Sequence, residues 1–63
     1  MSQLYERETQ RLNVGDRVAL ASDPSPELRQ GTVVHEEQNN SRLFVSWDYG
    51  RTWVYAKKDL VRV

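Results

Sequence analysis

The residues able to carry acid–base chemistry are few and poorly placed for it. His35 is the only histidine, and Glu36 and Glu37 follow it directly. A nucleophile needs a base within hydrogen-bond reach and usually a third group to orient that base. A lone histidine next to the β-branched run Thr32-Val33-Val34 reads instead as a surface or half-buried strand residue. Glu36 and Glu37 alternate across a strand, so they cannot act as one carboxylate pair. The chain has no cysteine, which removes thiolate nucleophiles, disulfides and thiolate metal sites. No phosphate-cradling glycine loop and no metal-ligand spacing is present. The sequence therefore predicts no catalytic residue, no metal and no cofactor, and the chain is not read as an enzyme.

Binding chemistry is better represented. Residues 46–55, SWDYGRTWVY, hold four of the six aromatic residues: Trp47, Tyr49, Trp53 and Tyr55. Phe44 lies just before them. Tyr and Trp combine a large apolar surface with a polar handle and are enriched where partners bind. Arg51 within this stretch and Lys57, Lys58 and Arg62 after it are the candidate phosphate contacts should the partner be a nucleic acid.

These residues must be positioned by short strands. Asn13-Val14-Gly15-Asp16 reads as a turn feeding a first strand over residues 17–21, with Val18 and Leu20 on one face. The following SDPSPELRQG carries Pro24 and Pro26 and reads as a loop. A second strand is expected over residues 32–36, and Gln38-Asn39-Asn40-Ser41 is a turn cluster. The third strand spans residues 42–47 and directs Leu43, Val45 and Trp47 to one side. Asp48-Tyr49-Gly50-Arg51 is a hairpin turn in which Gly50 takes a positive φ. Asp48 is expected to cap its own turn and to pair with Arg51. Residues 52–56 form a fourth strand, residues 57–60 a 3₁₀ turn, and residues 61–63 a short fifth strand. Residues 1–11 read as a flexible tail; an arm docking through Leu4 and Tyr5 is the alternative. The domain proper is residues 12–63.

Composition narrows the class further. A chain of 63 residues makes one small domain with a marginal core. Nine basic residues balance nine acidic ones, and only residues 52–63 lean basic, with Lys57, Lys58 and Arg62 against Asp59. Nucleic-acid binders normally concentrate positive charge, because phosphate neutralisation supplies most of their affinity. The balance therefore favours a protein or peptide partner over nucleic acid. No apolar run approaches the length of a membrane span, and Met1-Ser2-Gln3 begins no secretory leader. A cytoplasmic location away from membranes is expected.

Five short strands without a long helix suggest a small all-β barrel. Gly15-Asp16-Arg17-Val18, Gly31-Thr32-Val33, Val45-Ser46-Trp47-Asp48-Tyr49-Gly50 and Asp59-Leu60, in that order, resemble the SH3-like barrel superfamily. The particular likeness is to Tudor-like and Mib/Herc2-like modules, and it covers residues 13–63. It implies a five-stranded barrel with a 3₁₀ turn before the last strand, serving as an interaction module. It also makes Trp47, Tyr49 and Trp53 the candidates for the aromatic cage in which Tudor-like modules hold methylated cations. Function follows from such a fold only weakly. The chain also resembles type II dihydrofolate reductases, which are similarly short barrels, through Gly15-Asp16-Arg17-Val18, Val54-Tyr55 and Leu60. That family uses a glutamine where this chain has Trp53, and a tryptophan there would obstruct the pore that holds folate and nicotinamide cofactor.

Two registers of the fourth strand remain open at this level. Under the pattern of the resemblance Val54 points inward, leaving Phe44, Trp53 and Tyr55 together on one outer face. A one-residue change would bury Trp53 and Tyr55 and expose Val54. On the first register the chain is a non-catalytic module that binds a protein or peptide, or its own copy, through Phe44, Tyr49, Trp53 and Tyr55. Nucleic-acid binding through the same face, with the Lys/Arg rim, is the second reading. A divergent reductase is the third.

Overall fold

The structure is a computed structural model that describes residues 11–63. Five antiparallel strands form one unclosed sheet in the order β4-β3-β2-β1-β5. They are β1 (Arg17–Leu20), β2 (Gly31–Glu37), β3 (Arg42–Trp47), β4 (Thr52–Ala56) and β5 (Leu60–Arg62). Two 3₁₀ turns, η1 (Pro26–Leu28) and η2 (Lys57–Asp59), are the only helical elements among the described residues. None of these residues lies in a helix long and apolar enough to cross a membrane. The all-β reading and the 3₁₀ turn before the last strand both hold. Pro26 at the first position of η1 fits that turn, because its fixed φ is already helical and its missing N–H is not needed there. The expected tail and the Leu4–Tyr5 arm lie outside the described residues, apart from Arg11, whose guanidinium pairs with Glu36 at 3.0 Å.

The core forms on one face. Val18, Val33, Leu43, Val45, Trp47 and Leu60 are buried there, with Leu12 joining from the lead-in to β1 and Leu20 and Tyr55 packed against them. The alternation of β3 places Leu43, Val45 and Trp47 inward as the sequence suggests. β2 keeps no single alternation, because its register against β3 shifts between Val33 and His35. Val33 therefore opposes Val45, and Glu36 opposes Leu43, on the same side. Val34 is the extra residue of this bulge and stands exposed.

Gly31 opens β2 and pairs with Trp47 of β3. A Cβ at this position would come within 2.6 Å of Val45 Cγ1 and 2.9 Å of the Ser46 carbonyl oxygen, so a larger residue requires the strands to part. Gly50 takes φ 103° in the β3–β4 turn, as expected. Between β2 and β3, Gln38, Asn39 and Asn40 all adopt left-handed backbone, which asparagine tolerates better than most residues. Asn40 is buried, and its side chain acts as a clasp. Its Oδ1 accepts the Leu12 N–H at 3.0 Å, and its Nδ2 donates to the Leu12 carbonyl at 3.0 Å and to Glu36 at 2.7 Å. The segment entering β1 is thereby fastened to the β2–β3 turn.

Candidate functional site

The β3–β4 ladder settles the register of the aromatic hairpin. Val45 pairs with Trp53, Phe44 with Val54 and Leu43 with Tyr55. Directly opposed residues share a face, so Val54 lies with Phe44, away from the core, and Trp53 and Tyr55 lie on the core side. The expectation that Phe44, Trp53 and Tyr55 form one outer face is therefore corrected. The opposite register, with both Trp53 and Tyr55 buried, does not hold in full either. Tyr55 packs against the core, yet Trp53 remains 55% exposed. Its strand is the edge of the sheet, so the ring has no further strand to lie against among the described residues.

Trp47 organises what remains. Its buried indole donates Nε1–H to the Tyr55 hydroxyl at 3.0 Å, and the two rings meet edge to face at 5.7 Å. Tyr49, in the following turn, stacks on Trp47 with centroids 6.0 Å apart and planes 10° from parallel. Tyr49 is itself 62% exposed. Of the three cage candidates, only Tyr49 and Trp53 therefore offer ring surface to a partner. On the far face, Phe44 packs edge-on against His35, with centroids 5.3 Å apart.

A shallow cleft of about 290 Å³ opens beside Tyr49, lined also by Glu27, Leu28, Gln30 and Asp48. It joins the β1–β2 loop to the β3–β4 turn, and its walls are fixed by Arg17. The Arg17 guanidinium donates to both carboxylate oxygens of Asp48, with 2.9 Å to Oδ1, and also to Gln30 and Thr32. Asp48 thus serves β1 rather than capping its own turn or pairing with Arg51, as the local sequence suggests. The pairing holds the Asp48 carboxyl below its ordinary value and raises that of Arg17. Arg51 lies over the Trp53 ring instead, 5.4 Å from its centroid. Neither Arg17 nor Leu28 announces itself in the sequence, because their cleft partners are remote along the chain.

The candidate phosphate contacts are scattered. Arg51 and Lys57 bracket β4, about 20 Å apart at strand rise. Lys58 follows in η2. Arg62 lies on β5, at the opposite edge of the sheet, and its Nη2 donates to Asp16 at 2.9 Å and to the Arg11 carbonyl. Asp16 is held below its ordinary pKa chiefly by accepting the Asn13 N–H, and next by Arg62. Asp23 is lowered likewise, first by the Ser25 N–H and then by Arg29. The basic residues therefore form no continuous rim beside the aromatics. Among the described residues no group of His, Cys, Asp and Glu is arranged to hold a metal ion. Comparison with known protein families, curated proteins and solved structures finds no match.

Proposed function

We propose that this chain is a non-catalytic interaction module of the SH3-like, Tudor-like type, and that it binds a protein or peptide at the end of the sheet carrying Tyr49 and Trp53. One observation carries the reading: two large aromatic rings of the β3–β4 hairpin, Tyr49 and Trp53, are more than half exposed, and a cleft opens at Tyr49. Exposed aromatics grouped around a rigid support are what binding hot spots require. Tyr55 contributes as the support, since its hydroxyl is committed to Trp47, and Phe44 lies on the other face. The pairing of β1 with both β2 and β5 suits a small barrel, whose first and last strands adjoin.

The test is selection of peptides from a random display library on the immobilised protein, followed by titration against variants. Tyr49→Ala and Trp53→Ala are each expected to weaken the selected peptides at least about tenfold, which corresponds to a lost hot spot of ~1.4 kcal/mol. The far-ultraviolet circular dichroism and the urea midpoint should stay close to the parent's in both. Peptides that bind both variants as well as the parent would reject this site, and a library yielding no binder would reject the function.

A further inference from the structure

The two edges of the sheet are finished differently. β5 has three residues, includes Arg62, and is tied at that residue to Asp16 and to the Arg11 carbonyl. β4 has five residues, Thr52-Trp53-Val54-Tyr55-Ala56, with no charge, no proline and no glycine. Its register against β3 runs without a shift. Edge strands in monomeric proteins are usually blunted by lysine, proline, a bulge or shortness, because a bare edge offers backbone groups to any passing strand. β4 itself carries no lysine, proline or bulge, and no strand covers its outer side among the described residues.

The hydrogen-bond phase fixes which backbone groups face outward. Trp47 N–H donates to the Arg51 carbonyl, and Lys57 N–H donates to the Ser41 carbonyl. Antiparallel strands alternate between hydrogen-bonded and non-bonded pairs. Arg51, Trp53, Tyr55 and Lys57 therefore turn their backbone groups toward β3, and Thr52, Val54 and Ala56 turn theirs toward the open edge. An antiparallel partner strand must bond to that second row. The row is symmetric about Val54, so a second β4 can meet it through a two-fold axis at that residue. Val54 then opposes Val54 of the copy, Thr52 opposes Ala56, and Trp53 opposes Tyr55 on the core face.

We propose that β4 is a self-pairing edge, and that two copies of the chain join through it into one continuous ten-stranded sheet. Such an isologous contact closes on itself and ends at a dimer. The same register brings Arg51 of one copy opposite Lys57 of the other at both ends of the pairing. That repulsion, together with the shortness of the strand, places the association at the weak end of the range. The self-pairing rests on the outward backbone row of β4 and not on the peptide reading, although it also sets Trp53 against Tyr55 of the copy and so covers part of that site. Loss of pairing in Thr52→Lys with Tyr49-dependent peptide binding retained separates the two.

Sedimentation equilibrium of the full chain, from micromolar to millimolar concentration, should show its mass doubling and then levelling. Amide exchange at Thr52, Val54 and Ala56 should slow as concentration rises, while exchange along β5 does not change. Thr52→Lys puts a charge on the edge, and Val54→Pro removes an outward N–H while leaving the bonds to β3. Each is expected to raise the dissociation constant at least tenfold, with Thr52→Lys deciding alone should Val54→Pro unfold. A monomer at every concentration would overturn the proposal. So would a mass that keeps growing together with protection of β5, the mark of head-to-tail pairing. Protection of the β4 row independent of concentration would also overturn it, by assigning the edge to the same chain.

Discussion

β3 and β4 send alternate residues to the same face of one hairpin, yet the two rows meet different fates. Leu43, Val45 and Trp47 of β3 are sealed, whereas across the ladder Tyr55 is only partly covered and Trp53 is more than half exposed. Facing the core is therefore not the same as being buried. In this hairpin the residues of the inner strand β3 are covered from both sides, and Trp53 on the edge strand β4 from one. Side-chain size does not rescue it, since Trp53 is the largest residue of the pair and Val45 the smaller. Aromatic area is thus left at the margin of the core, where it is rigidly held from beneath and open above.

The sharpest way to break this comparison is to truncate the two members of one cross-strand pair. Val45→Ala should cost about 2–3 kcal/mol in urea unfolding, as expected for a fully buried side chain that leaves a cavity. Trp53→Ala should cost under about 1 kcal/mol despite losing many more atoms, because most of what it loses is exposed surface and a contact with Arg51. Equal costs would mean that the edge is covered in solution. Tyr55→Phe probes the intermediate position: it removes only the acceptor of the Trp47 indole N–H and should cost about 1 kcal/mol. A neutral result would show that water replaces that hydroxyl.

The smallest effect is expected at the exposed clamp beside the cleft. Because Asp48 is held below its ordinary carboxyl pKa in the folded chain, the stability it contributes is present above that range. It is lost as pH falls through the folded value. The thermal midpoint should therefore hold from pH 7 down to about 5 and decline below about 4. In Asp48→Asn part of that decline should disappear, and an unchanged acid profile would remove the Arg17 pairing from the stability of the fold.

Much of this architecture is legible from residue order. The boundaries of β3 and β4 follow from alternation on either side of the Asp48–Arg51 turn, and the positive φ of Gly50 from its place in that turn. Three features escape such a reading, each for a physical reason. The bulge at Val34 exchanges the faces of β2 without any proline or glycine to mark it. Trp53 is exposed through its position across the sheet, which alternation along one strand does not encode. Asp48 prefers Arg17, which the local sequence does not bring near, to its neighbour Arg51, because β1 presents a guanidinium already aligned by Gln30 and Thr32.

The pairing of β1 with β5 joins nearly opposite ends of the described chain, Val18 with Arg62 and Leu20 with Leu60. During synthesis β1 emerges first of the five strands and its outer neighbour last. The β1–β4 meander can zip through near-neighbour contacts, but β1 keeps one side vacant until β5 arrives. Closing that long loop is the entropically slow event, so the rate of folding should be set by how readily Leu60 finds Leu20, well after the aromatic hairpin has formed.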